Sequence, residues 1–380
     1  MKTALASLAS AIGMLGVQVV ALVILQPAEF GLFSSVYLLG ALLLSISLSV
    51  VCDSWARLAR SSETVRDDWG SYGAASFYLC VLGGVVAGVV ALFLPPLAPY
   101  WWLAAVAVFA MGYRSSARFY SLHQSRWNEV LPGDVVGAMI AVVGGLWAFF
   151  AADDHLGAVM AVWAASTLGA AVLSRMPVSW RPMTLIHWGS RHRTTIGPLL
   201  RDSLLMDAAA IGTPYAMIPL LGVADFGLYR AVSNVAAPVR LVLAPIRPRL
   251  VLTTPTARLG ILVTAAAIVT GMLAAATVWA IDALGLDLGT LSHLGALAIP
   301  TGLFVAANLQ SHTFYLLARG HSAPRTLYVG RAVQTVLGIV LPIVGALLWG
   351  LEGAVWLYAV ATTVSAVVWT VLVYRGRRIT

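Results

Sequence analysis

The chain has 380 residues, of which 60% are hydrophobic in type and 10% charged, with a mean hydropathy of +0.89. Soluble domains carry about 25% charged residues, so charge this sparse excludes a water-soluble globule, a disordered chain and a disulfide scaffold, and leaves a polytopic membrane protein. Basic residues (22 Arg and only Lys2) outnumber the 15 acidic ones, giving a net charge of +8, and the lone lysine has no glycine-rich run before it, which excludes a P-loop nucleotidase.

A helix needs about 20 apolar residues to cross a hydrocarbon core of about 30 Å. On that measure twelve spans are expected, at roughly 3–25, 31–54, 74–94, 101–121, 133–152, 156–175, 199–220, 226–250, 258–281, 292–317, 326–348 and 352–374. The odd-numbered connections, Gln26–Phe30, Pro95–Tyr100, Ala152–His155, Gly222–Asp225, Asp282–Leu291 and Gly350–Leu351, contain no Lys or Arg. The even-numbered ones hold Arg57, Arg60 and Arg66, then Arg126, then Arg181, Arg191 and Arg193, then Arg247, Arg249 and Arg258, then Arg319 and Arg325. This alternation places both termini in the cytoplasm. Cys52 and Cys80 then fall near the reducing side and read as two free core thiols.

The turn after the first span reads Ala28-Glu29-Phe30-Gly31-Leu32-Phe33, and that after the seventh reads Ala224-Asp225-Phe226-Gly227-Leu228-Tyr229. Six spans per half is an even number, so two copies of such a unit share one orientation, as parallel repeats about an axis along the membrane normal. The expected organisation is an all-α protein with an N-terminal six-helix bundle over 1–175, a cytoplasmic linker over 176–198 and a C-terminal six-helix bundle over 199–380, the substrate passing through a cavity between them.

These stretches resemble the multidrug/oligosaccharidyl-lipid/polysaccharide (MOP) exporter superfamily, and within it the Wzx-like flippases of lipid-linked oligosaccharides. The likeness is carried by Glu29-Phe-Gly-Leu-Phe-Ser34, by Ala224-Asp-Phe-Gly-Leu-Tyr-Arg-Ala-Val-Ser233 running on to Pro245 and Pro248, by Leu317-Ala-Arg-Gly320, and by Gly350-Leu-Glu-Gly-Ala354. The resemblance implies a V-shaped pair of bundles in a bacterial cytoplasmic (inner) membrane. It implies movement of a polyprenyl-diphosphate-linked glycan to the outer leaflet by alternating access, with membrane lipids and the pathway's glycosyltransferases and polymerase as partners. No nucleic acid, cofactor or metal is expected. Span 1 has no Arg or Asp, unlike the charged first helix of the related lipid II flippases, which argues against a peptidoglycan precursor as cargo.

A diphosphate crossing hydrocarbon calls for arginine, whose planar fork binds phosphate bidentately and stays protonated. At mid-membrane an Arg costs about 2.5–3.5 kcal/mol on insertion scales, so such residues are expected to face a cavity or to snorkel to the headgroups. Arg114 and Arg118 share one face of span 4. Arg230 is the one basic residue outside the cytoplasmic half, followed on its helix by Ser233, Asn234 and Arg240. Span 10 carries Asn308, Gln310, His312 and Tyr315 as a polar stripe, and Arg331 lies a turn or two into span 11. Arg114, Arg118 and Arg230 are expected to hold the diphosphate at successive depths. Asp207, the most deeply placed acid, is the ion-coupling candidate, the alternative being a structural ion pair. Asp53 and Asp134 are expected at solvated helix ends, Asp134 serving the helix dipole of span 5. Thr213-Pro214 and Pro300-Thr301 read as bend points, and Gly84-x-x-x-Gly88 and Gly133-x-x-x-Gly137 as close-packing devices.

Three rival readings remain open, one of them a non-transporting partner within a biosynthetic complex. A drug or cation antiporter of the same superfamily would want acids in the cavity, and Asp207 is nearly alone. A glycan polymerase or ligase would want a sizeable outer loop, and the outer connections are short; Asp153-Asp154 is the one acidic pair it could use.

Overall fold

The computed structural model describes residues 2–61, 68–177, 184–239, 243, 250 and 253–376. Among them the secondary structure is helical, with no strand, as expected where lipid offers the backbone no hydrogen-bond partners. The helices are α1 (Lys2–Ile24), α2 (Pro27–Ser47), α3 (Ser54–Ser61), α4 (Trp69–Leu92), α5 (Trp101–His123), α6 (Trp127–Ala151), α7 (His155–Val172), α8 (Thr184–Arg191), α9 (Arg193–Asp207), α10 (Thr213–Leu221), α11 (Val223–Val235), α12 (Ala257–Ala283), α13 (Ala298–His321) and α14 (Pro324–Gly376). Short π-helical segments, Leu48–Asp53 and Ala208–Gly212, join α2 to α3 and α9 to α10.

Among the described residues seven helical stretches are long and apolar enough to cross a membrane, so the chain is a multi-pass membrane protein. The longest, Arg325–Arg375, is two helices end to end. Trp349 and Gly350 break it, and Gly350 sits at φ +62°, ψ −143°, a conformation all but reserved for glycine. Neither α5 nor α13 is among the seven. Both expected spans are helical, but Arg114 and Arg118 dilute the first and Asn308, Gln310 and His312 the second.

The residues cluster into two units. The first holds Met1–Ala21 and Leu32–Asp207; the second holds Leu22–Gly31 and Ala208–Thr380. The division therefore falls at Asp207/Ala208, where the sequence reading placed it at 198/199, because α9 packs on the π-segment Leu48–Asp53 of the first unit. There the hydroxyls of Ser203 and Ser49 hydrogen-bond. The second difference is that the turn between α1 and α2 belongs to the second unit.

That turn explains the repeated motif. Phe30 and Phe226 are fully buried, as are Phe33 and Tyr229 to within 1%. A Cβ on Gly31 would fall against the Val223 carbonyl, and one on Gly227 against the Pro27 carbonyl. The two glycines thus let two helix starts cross at backbone contact, each on the other's first turn. Thr290 Oγ1 donates to the Leu25 carbonyl at 2.7 Å, and His293 Nε2 lies 3.2 Å from Gln26 Oε1, tying the same turn to the segment ahead of α13.

The other glycine pairs act as expected. Gly133 and Gly137 admit Ala170 and the Ser166 carbonyl of α7, and Gly84 and Gly88 admit Ala105 and Trp101 of α5. Thr213-Pro214 does mark an irregularity, following the π-segment 208–212. Pro300 is not a bend point: it lies in the first turn of α13, where a missing N–H costs no helical bond.

Candidate functional site

Each unit carries its own polar cluster among apolar helices. In the first unit the cluster is built on α5 and α6. The helical spacing of Arg114 and Arg118 turns both toward α6, and Asp134 meets them there. Arg114 Nη2 donates to Asp134 Oδ1 at 2.6 Å, and Arg118 Nε donates to Asp134 Oδ2 at 3.1 Å. Arg114 Nη2 also lies 3.3 Å from Ser10 Oγ of α1. The Asp134 side chain is 2% exposed and that of Arg114 7%, whereas the Arg118 side chain is 26% exposed. Two positive charges against one negative leave the cluster at +1, and the accessible part of that charge is Arg118.

This corrects the expectation for Asp134. It is neither solvated nor at a helix end: α6 begins at Trp127, so the residue lies two turns inside, two residues beyond Pro132. A lone buried carboxylate would be costly, and the two arginines are what make it tenable. A small cavity beside Arg114, lined by Tyr37, Trp163 and Thr167, has room for about one ordered water.

In the second unit the stripe of α13 meets α14. The Arg331 guanidinium stacks on the Tyr315 ring, its carbon 4.4 Å from the centroid, and that of Arg319 lies 5.9 Å from the same ring. Arg331 Nη1 donates to Gln334 Oε1 at 3.3 Å, which also accepts from Trp369 Nε1 at 3.2 Å, and the Tyr315 and Trp369 rings are 5.2 Å apart. Gln310 Nε2 donates to Thr370 Oγ1 at 3.3 Å. Tyr315 and Arg331 are thus brought together, as Arg114 and Arg118 are. Asn308 is 9% exposed and Ser311 1% exposed, and Asn308 Oδ1 and Ser311 Oγ are buried without a hydrogen bond among the described residues. His312 is half-buried on the same helix.

Arg230 lies on α11, half-buried, and donates to Ser233 Oγ at 3.0 Å; Asn234 beside it is half-buried. Arg240 lies outside the described residues, as do Arg247 and Arg249. Asp207 closes α9 immediately before the π-segment. It is half-buried, with the Ser45 hydroxyl beside its carboxylate and Oδ2 buried without a hydrogen bond among the described residues. No group of three or more His, Cys, Asp or Glu side chains with metal-site geometry occurs among the described residues.

The sequence reading missed Asp134, Ser10, Gln334 and Trp369 as members of these clusters. Asp134 carried a signal, being an acid within an apolar window on the helix next to the arginines. Gln334 lies one turn from Arg331. Trp369 and Ser10 carried none.

Solved structures share this fold. An inward-facing multidrug resistance MATE family transporter of the MOP superfamily superposes with a TM-score of 0.67 at 12% identity, over 100% of this chain and 94% of its own. The lipid II flippase MurJ in an inward closed conformation gives 0.63 at 9% identity, over 95% of this chain and 85% of its own. An outward-facing MATE family transporter of the MOP superfamily gives 0.54 at 14% identity, over 99% and 95%. No family model and no curated relative matches the chain. The chain therefore has the fold of MOP-superfamily membrane transporters, at identities that speak to fold alone.

Proposed function

We propose that the protein is an inner-membrane flippase that carries a polyprenyl-diphosphate-linked oligosaccharide from the cytoplasmic to the outer leaflet by alternating access. In this reading the chain crosses the membrane twelve times as two like-oriented six-helix bundles, with both termini in the cytoplasm. The observation that carries it is the sign of the charge sunk in apolar helices. Asp134 cancels one of two arginines, and on the second unit the half-buried Arg331 lies over the Tyr315 ring, with the exposed Arg319 5.9 Å from the same ring. An anionic headgroup is the cargo that such surplus positive charge stabilises. Arg118, more exposed than Arg114, takes the leading role in the first unit. Arg230 with Asn234 and Arg331 with Tyr315 contribute in the second, and Asn308, Gln310 and His312 offer partners to sugar hydroxyls.

The test is a proteoliposome assay in which a fluorescent lipid-linked glycan becomes accessible to an outside quencher. Arg118→Gln and Arg331→Gln each lower the initial rate about ten-fold or more, as losing one charge-assisted bond of about 1.5–3 kcal/mol requires. Wild-type rates in both variants would remove the reading.

A second reading, a MATE-like antiporter for organic cations, draws on Asp207, the half-buried carboxylate that ends the first unit. It predicts cation uptake driven by a proton or sodium gradient and abolished by Asp207→Asn. In the flippase reading the same residue couples the gradient to glycan transport.

A further inference from the structure

A groove on the second unit holds about 580 Å³ and borders that unit's polar cluster at Thr370, which accepts from Gln310. One wall is α12 from Ala257 to Ile268, with Gly260 and Thr264 facing the groove; Phe314 of α13 and Thr370 and Tyr374 of α14 complete it. The lining is almost wholly apolar. Eleven residue steps at about 1.5 Å give it a length of about 16 Å, close to half of the about 30 Å hydrocarbon thickness. It therefore runs through one leaflet.

One end of this groove is polar. Tyr374 Oη donates to the Thr256 carbonyl at 2.8 Å, pinning the start of α12 to the end of α14. Arg258 follows Thr256 by two residues and Arg375 follows Tyr374, and both are exposed. In the orientation given by the arginine-bearing connections, this rim lies at the cytoplasmic surface. Gly260 makes the joint possible: a Cβ there would meet the Tyr374 hydroxyl.

The geometry points to a binding site for a polyprenyl phosphate, its isoprenoid chain lying along α12 and its phosphate between Arg258 and Arg375. Two arginines at one mouth match a phosphate terminus bearing nearly two negative charges better than the single charge of a phosphodiester lipid. One leaflet-long groove suits one chain, where a diacyl phospholipid has two. This rests on the flippase reading, whose cargo shares the isoprenoid chain and carries two negative charges on its diphosphate, and gives it a loading site: the carrier docks on the cytoplasmic half of the second unit before its headgroup enters the transport path.

The test uses the full chain in phosphatidylcholine nanodiscs with a long-chain polyprenyl monophosphate carrying a diazirine on its chain. Photolysis labels residues 257–268 or 370–374, read by peptide mass spectrometry. Unlabelled polyprenyl phosphate competes, and phosphatidylglycerol and inorganic phosphate do not. Thr264→Trp, which fills the groove, lowers labelling about ten-fold, as does the pair Arg258→Gln with Arg375→Gln. The pair leaves the groove walls intact, so it reports independently should the tryptophan variant fail to fold. Equal competition by phosphatidylglycerol would make the groove an ordinary lipid seat and overturn the proposal, as would labelling elsewhere or labelling indifferent to both variants. Labelling as expected in a protein that moves no glycan would instead remove the flippase reading and leave the groove standing. Glycan transport with no labelling here would do the reverse.

Discussion

Replacing Asp134 by leucine should damage the protein more than replacing either arginine that it holds. Asp134 Oδ1 and Oδ2 accept from Arg114 and Arg118 at 2.6 and 3.1 Å, and the carboxylate side chain is 2% exposed. Without it, Arg114 keeps a buried charge with only the Ser10 hydroxyl at 3.3 Å, and Arg118 loses its bond at Nε. Removing one partner of a buried pair costs about 3–5 kcal/mol, whereas exchanging the whole pair for apolar side chains is near neutral. Arg114→Leu leaves Asp134 with Arg118, so its cost stays below about 2 kcal/mol. At about 2–4 °C per kcal/mol for a unit of this size, Asp134→Leu lowers the melting temperature by about 6–20 °C. The double variant Arg114→Leu with Asp134→Leu regains more than half of that loss. A thiol-reactive fluorophore followed during heating measures it, because Cys52 and Cys80 are 0% and 5% exposed and belong to the same unit as the cluster. An Asp134→Leu protein melting within 2 °C of wild type, or Arg114→Leu melting as low as Asp134→Leu, would refute the reasoning.

Other outcomes follow from the packing. Gly31→Val and Gly227→Val each force a side chain onto a carbonyl of the facing turn and cost at least about 2 kcal/mol, seen as a loss of folded protein in detergent. Gly350→Ala, at φ +62°, costs about 1–3 kcal/mol, and Gly197→Ala, with open space at its Cβ position, is the control. Gln334→Leu removes the acceptor shared by Arg331 and Trp369 and lowers stability by about 1–3 kcal/mol, while Gln334→Glu, which keeps an acceptor and adds charge beside Arg331, retains most of it. In the folded protein neither cysteine reacts with a maleimide over minutes, and both react after unfolding.

Helices were legible because in lipid the backbone has no alternative, so apolar length alone announces them. Where polar residues dilute that signal, as on α5 and α13, the expected helices are still found, though neither counts among the long apolar stretches. The Phe-Gly repeat was legible as a repeat, but its physical content was not: nothing in the letters says that Gly31 and Gly227 touch each other's turns. The partner of Arg114 and Arg118 was missed because a sequence reports depth along a helix and not which neighbour stands at that depth. Asp134 was assigned to a helix end from a start taken at Gly133, whereas the helix starts at Trp127 and runs through Pro132. The same limit hid Trp369, which meets Gln334 across 35 residues of chain. The division at Asp207 escaped a reading by span count, since α9 is the first half of an expected seventh span yet packs with the helices before it.

The hairpin tip 22–31 has a practical consequence for anyone who takes the molecule apart. The polypeptide changes unit three times, after Ala21, Gly31 and Asp207. A chimera joined in the middle would therefore separate the C-terminal helices from a ten-residue peptide that fills their own interior with Phe30. Co-expressed fragments cut at the centre can complement only if the N-terminal piece still donates that loop, so a graft onto a foreign partner has to carry residues 22–31 along with it.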